Sequence, residues 1–291
     1  MQEFEYVSPT SLEDAIKLMA EKGPKAKALA GGTDILIQLR GGRYQIDRLV
    51  DIKKVPELNQ FSCSQNEGLT IGASVQCYKV YESPEVQRLY PAMIDSSSLI
   101  GGIQVQGRAT IGGNLCNATP SGDNIPSLIA QSAQALIAGP NGQRTVPVEE
   151  FCTGPGRNQL ADGELLVSMN IPPVKANYGA AFLRFIPRNE MDIAVANCGA
   201  SVQLDESKQK IVSARIAIGS VGPTVIFCKE AGDSLAGAEA NEASIEIAAA
   251  AAQKVASPIN DMRGTVEQRI HLVGVLTKRV LRLAISRAKG E

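Results

Sequence analysis

Ala30-Gly31-Gly32-Thr33-Asp34 and Thr110-Ile111-Gly112-Gly113-Asn114 are the two stretches on which the reading of this chain turns. Each pairs its glycines and closes on small polar residues. Consecutive glycines let neighbouring backbone N–H groups point into one concavity, because no Cβ blocks the approach or forbids positive φ. Two such nests converging would hold a pyrophosphate without a lysine, backbone donors satisfying its oxygens. The usual nucleotide fingerprints are missing: no G-x-G-x-x-G follows a strand, and no G-x-x-x-x-G-K-[ST] occurs.

Outward from the first turn, Ala26 to Ala30 reads as a short strand entering it, and Asp34 to Arg40 as a short helix ended by Gly41-Gly42. A helix over 8–22 precedes them, with a cap in Ser8 to Glu13 and an apolar face of Leu12, Ala15, Ile16 and Met19. With the strand at 48–52, residues 1–56 form one α/β unit. Residues 57–172 form a second. It holds a strand at Leu69 to Gly72, a helix from Tyr90 to Ile100 opened by Pro91, the second glycine turn, a buried helix from Pro126 to Ile137, a turn at 139–142 and a strand from Leu165 to Ile171. Pro172-Pro173 marks the boundary. In the third unit, 173–291, strands from Asp192 to Leu204 and Ile211 to Ile218 flank a charged turn, followed by helices from Ala243 to Val255 and Val266 to Arg287.

Composition excludes several function classes. With 29 basic and 30 acidic residues, the net charge of −1 offers no positive field for nucleic acid. Apolar runs break well before the ~18 residues of a membrane span. The acidic start, Met1 to Tyr6, has no apolar signal core, which reads as cytoplasmic. The six cysteines, Cys63, Cys77, Cys116, Cys152, Cys198 and Cys228, include no C-x-x-C pair and no neighbouring histidine. Neither a zinc nor an iron–sulfur site is expected in this chain, nor a disulfide framework. His271, the one histidine, falls in a helical stretch with Leu272, Val275 and Leu276, so no Ser-His-Asp triad is expected. No catalytic residue and no metal ligand are assigned.

The chain resembles, over nearly its whole length, the flavin-binding medium subunit of the molybdenum hydroxylases, the family of carbon monoxide dehydrogenase and xanthine dehydrogenase. The pieces that carry the resemblance are Ala30 to Asp34, Ala109 to Leu115, Asn117-Ala118-Thr119-Pro120-Ser121-Gly122-Asp123, Phe182-Leu183-Arg184 and Met191-Asp192-Ile193-Ala194, specific in their order and spacing together. The resemblance implies an α+β fold in which two α/β subdomains clamp FAD in a non-Rossmann manner, followed by a C-terminal domain of antiparallel sheet plus helices. It implies an electron-transfer role in a heterotrimer that can dimerise. Substrate is oxidised at molybdopterin in a large subunit, electrons pass through [2Fe-2S] clusters of a small subunit, and they reach FAD here before leaving to an external acceptor.

Carried over residue by residue, the family pattern places Ala28, Leu29, Ala30, Gly31, Gly32, Thr33, Asp34 and Ile35 around the FAD diphosphate. Thr110, Ile111, Gly112, Gly113 and Asn114 supply the other half of that cradle. Ile100 and Leu166 align with apolar cofactor contacts, Asp123 with an acidic one, and Asp192 with a position near the ring or ribityl chain. Arg184 stands where the family usually has Lys, a change that keeps the charge but alters its geometry.

The alternative is a stand-alone FAD oxidase or dehydrogenase of the related two-subdomain flavin fold, with its own substrate pocket. Such enzymes often tether FAD through His or Cys, and the single histidine here lies far downstream. A scaffold subunit that has lost its flavin is a third reading, disfavoured by the intact glycine turns. No cysteine-rich insertion interrupts 114–123, against the hydroxybenzoyl-CoA reductase branch, which carries an extra cluster there. The substrate (carbon monoxide, purine, aldehyde or nicotinate) and the acceptor stay open, because they are met elsewhere in the complex.

Overall fold

The computed structural model describes residues 2–188 and 191–291. Three sheets carry the architecture. The first is parallel, with Arg48–Asp51 between Glu5–Val7 and Ala26–Leu29. The Leu12–Lys22 helix makes the crossover. Ser11 caps it by accepting from the Asp14 N–H, Glu13 and Asp14 fill its first turn, and Ala15 and Met19 face the core. The second sheet is antiparallel, in the order Phe61–Ser64, Gly68–Gly72, Leu165–Ile171, Gln134–Gly139, Gly142–Pro147. Its central strand is apolar almost throughout because both of its faces are covered. One apolar cluster runs from Ala15 and Val50 through Leu69, Ile71, Leu128 and Ile137 to Met169, packing the first sheet's helix against the second.

The third sheet, also antiparallel, runs Tyr178–Phe185, Ala196–Leu204, Ile211–Gly219, Ile226–Phe227. One face packs under the Glu242–Val255 and Val266–Lys289 helices, through Ala181, Cys198, Ala200 and Val202 against Val280, Leu281 and Ala284. The other face meets the Asn124–Ala130 helix, where Ser201 Oγ donates to the Ala130 carbonyl and Arg215 Nε to the Ile129 carbonyl. All seven residues of that short helix are buried, because it lies between the third sheet and the Pro91–Ser97, Ile111–Asn117 and Val148–Phe151 helices. A bidentate pair between Arg287 and Asp95 ties the last helix to the Pro91–Ser97 helix, and Asp95 also accepts from the Phe182 N–H. Among the described residues no helix is long and apolar enough to cross a membrane.

The structure departs from the sequence expectations in several places: the helix expected over 8–22 begins at Leu12, and the one expected from Tyr90 to Ile100 ends at Ser97. The run from Pro126 to Ile137 is a helix ending at Ala130 and then a strand from Gln134, broken at Ser132, which takes a left-handed φ of 58°. An unbroken apolar run does not distinguish a buried helix from a buried strand. The strand expected from Asp192 begins at Ala196. The second glycine turn is not a nest: Ile111–Asn117 is a helix, and Gly112 and Gly113 lie in its first turn without positive φ.

Candidate functional site

A cleft of about 560 Å³ opens between the first two sheets, and most of the residues singled out from sequence line it. Ala28 ends up there because it sits on the last strand before the first glycine turn, followed by Ala30, Gly31, Gly32, Thr33, Asp34 and Ile35. From the other side come Thr110, Gly112, Gly113 and Asn114, with Ile100 and Leu166 as apolar walls. Leu29 and Ile111 point away, Leu29 into a small cluster with Leu39, Ile46 and Leu49, and Ile111 into the main core.

The glycines do different work from the two facing nests expected. Only Gly32 has positive φ, at 80°. Gly31 is required by loop–loop contact: a Cβ there would lie 2.0 Å from the Arg108 carbonyl oxygen, and Arg108 Nε donates back to the Gly31 carbonyl. The two halves of the cleft therefore touch backbone to backbone. At Gly112, which also lines the cleft, a Cβ would lie 2.5 Å from Ala73 Cα, so that glycine lets the helix pack onto the second sheet. Gly113 lines the cleft, and only Thr110 Oγ1 lies near the place of its missing Cβ. Thr110 is the N-cap, accepting from the Gly113 N–H at 2.9 Å.

Asp123, Arg184 and Asp192 lie outside the cleft lining. Asp123 occupies the N-cap position of the Asn124–Ala130 helix but makes no cap bond. Its carboxylate instead accepts from Arg184 Nη1 and, at 3.5 Å, from Asn197 Nδ2. The cluster joins the cleft wall through Asn114, whose Oδ1 accepts from the Asn124 N–H. Burial pushes the Asp123 carboxyl up to about 6, while the Arg184 charge and hydrogen bonds from Asn197 and Arg184 pull it back. Arg184 is thus a buried, paired charge rather than a solvated one. Asp192, with a side chain 9% exposed, pairs with the exposed Arg188 and accepts from the Ile193 N–H. Its neighbour Met191 donates from its backbone N–H to the Gly101 carbonyl, beside Ile100.

Sequence reasoning missed several lining groups. Gln38 Nε2 donates to Asn117 Oδ1 at 3.1 Å, bridging the two halves, and Lys27, Tyr44, Thr153 and Asn158 complete one end. Asn117 was within reach, since it opens the Asn117-Ala118-Thr119-Pro120 segment. The others had no local signal. Cys116 also lines the cleft; burial pushes its thiol up to about 12, leaving it protonated and unreactive at neutral pH.

These residues fit FAD. The cleft is walled by backbone and small residues where a diphosphate would need close approach. Next to it, buried polar atoms have no protein partner: both amide atoms of Asn124, Nε of Arg184 and Oδ1 of Asn197.

Comparison with known proteins agrees. A family described as the FAD binding domain in molybdopterin dehydrogenase matches residues 2–174, and the CO dehydrogenase flavoprotein C-terminal domain matches residues 181–284. The xanthine dehydrogenase FAD-binding subunit of Escherichia coli is 34% identical over 287 residues, 98% of this chain and 97% of the relative. The carbon monoxide dehydrogenase medium chain of Hydrogenophaga pseudoflava is 32% identical, over 98% of each chain. The solved carbon monoxide dehydrogenase from Hydrogenophaga pseudoflava that lacks the Mo-pyranopterin moiety superposes with a TM-score of 0.93 at 31% identity, covering 98% of each chain. Quinoline 2-oxidoreductase from Pseudomonas putida gives 0.89 at 28% identity, covering 99% of this chain and 98% of that one.

Proposed function

Since this chain belongs to the family of FAD-binding subunits of molybdopterin dehydrogenases, we propose that it is the electron-transfer subunit of such an enzyme. It is an oxidoreductase subunit with FAD as its cofactor. In this reading electrons come from the [2Fe-2S] clusters of a small partner subunit, after a large molybdopterin subunit has oxidised the substrate, and pass from here to an external acceptor in the cytoplasm.

The observation that carries the reading is the backbone contact between the Gly31 and Arg108–Ala109 segments, which closes one cleft from two sides. Bound FAD supplies the capacity to take up and release electrons. The chain supplies position. Ala28 to Ile35 and Thr110 to Asn114 hold the diphosphate, Ile100 and Leu166 exclude water, Asp123 and Arg184 fix the polar end, and Asp192 closes the side near Ile100. The units 1–56 and 57–172 hold the cofactor between them, and 173–291 brings Arg184 and Asp192 to it.

Co-expression with a two-cluster iron–sulfur subunit and a molybdopterin subunit should yield a complex. Alone, the flavin-loaded chain should stay yellow on anaerobic mixing with purines, aldehydes or carbon monoxide. Rapid bleaching by one of these, without partners, would replace the relay reading with the stand-alone oxidase.

A further inference from the structure

Arg184, Asn197 and Gly219 stand side by side on three adjacent strands, in direct cross-strand register. A Cβ at Gly219 would lie 2.2 Å from Asn197 Oδ1 and 3.0 Å from the Pro120 carbonyl oxygen. The bare glycine therefore lets the Asn197 side chain lie across it and lets the Pro120 turn come down onto the sheet. That turn leads into Asp123, which accepts from both Arg184 and Asn197.

Just beyond this row the strands part, and one side chain bridges them. Arg269, on the last helix and 4% exposed, donates through Nη1 to the Val195 carbonyl at 2.6 Å and the Ser220 carbonyl at 2.9 Å. Its Nη2 donates to Asp261 at 2.7 Å. Ser220 holds a left-handed φ of 65°, a conformation that costs a non-glycine residue energy and persists only where its surroundings enforce it. The Ser220 N–H donates to the Pro120 carbonyl at 2.7 Å, so the enforced turn is also the anchor of the segment that presents Asp123.

We propose that Arg269 is a positioning residue for the cofactor. It touches no part of the cleft. By holding Val195 and Ser220 it fixes Asn197 on one side and, through Ser220 and Pro120, Asp123 on the other. The inference rests on the assignment of Asp123 and Arg184 to the cofactor's polar end.

The test compares FAD dissociation constants, by flavin fluorescence, with the visible circular dichroism of the bound flavin. An ammonium at 269 cannot span two carbonyls and Asp261 in the geometry of the guanidinium fork. Arg269→Lys should weaken FAD at least fivefold and change the flavin dichroism, at a temperature where its far-ultraviolet spectrum matches the wild type. Asp261→Asn weakens the third contact and the turn that Asp261 holds through the Arg263 and Gly264 N–H groups but leaves both carbonyl contacts of Arg269, so it should stay within twofold with an unchanged flavin spectrum. Ser220→Gly keeps every backbone group and removes the strain. It should raise or preserve the urea midpoint and hold FAD within twofold, since Arg269 still grips both carbonyls; Arg269→Gln, shorter and uncharged, should weaken FAD at least fivefold and decides the matter if Arg269→Lys fails to fold. Wild-type binding of FAD with Arg269→Lys within twofold and spectrally unchanged overturns the inference alone. Failure of the wild-type chain to bind FAD overturns the functional reading as well.

Discussion

The carboxylate of Asp123 and the guanidinium of Arg184 form an ion pair across the seam between the Asn124–Ala130 helix and the C-terminal sheet, with side chains only 9% and 5% exposed. Its pH dependence runs opposite to that of a surface pair. The Asp123 carboxyl titrates at about 6 in the fold, raised from 3.8 chiefly by burial. A carboxyl with a raised folded pKa keeps its proton more tightly in the fold. Its contribution is full below the unfolded pKa and is lost as pH rises through the folded one. In the flavin-free chain, wild-type stability should therefore fall relative to Asp123→Asn between roughly pH 4 and pH 6, by on the order of 2–3 kcal/mol. Urea titrations of both proteins across that range measure it; a constant difference would mean that Arg184 fully offsets the burial of the carboxylate.

The two glycines of the second motif should fail in different ways. Gly112→Ala pushes a methyl into the Ala73 backbone, so it should cost about 1–3 kcal/mol of stability. Gly113→Val places its bulk at the cleft wall, so it should lose FAD while melting within a few degrees of the wild type. Thermal melts and flavin content, measured on both, separate the roles. Full FAD retention by Gly113→Val would remove that residue from the cradle.

FAD should be held without a covalent bond. The sole histidine, His271, is exposed on the last helix, and the one cysteine lining the cleft is a protonated thiol. Acid precipitation should release the yellow colour to the supernatant. Flavin remaining in the pellet would point to a tether.

Arg287→Met removes a bidentate partner from Asp95 and a donor from the Ala180 carbonyl. Loss of this half-buried clasp should cost about 2 kcal/mol. By contrast Asp233→Asn, breaking the exposed Lys229–Asp233 pair, should change stability by less than about 0.5 kcal/mol. Equal effects in chemical denaturation would deny the clasp its special place.

Local signals were legible from sequence. The Leu165–Ile171 strand falls where expected because an apolar run meets Pro172 directly. The glycine pair at 112–113 points to the cleft but not to its geometry. Thr110 stands three residues before Gly113, the spacing of an N-cap, and that feature marks a helix start rather than a nest. The buried row could not be read at all. Asp123 meets Arg184 and Asn197 across 61 and 74 positions, and only the sheet register brings them together.

The contact between Arg287 and Asp95 joins residues 192 positions apart. A ribosome delivers residues in order, so Asp95 waits for almost the entire chain before its partner emerges. The same late helix brings Arg269 to the ends of the strands that carry Asn197 and Gly219. A chain interrupted before Val266 has neither grip, and it lacks the helix that packs on Tyr178–Phe185 and Ala196–Leu204. The segment that presents Asp123 is thus anchored on its far side only after the last helix has docked.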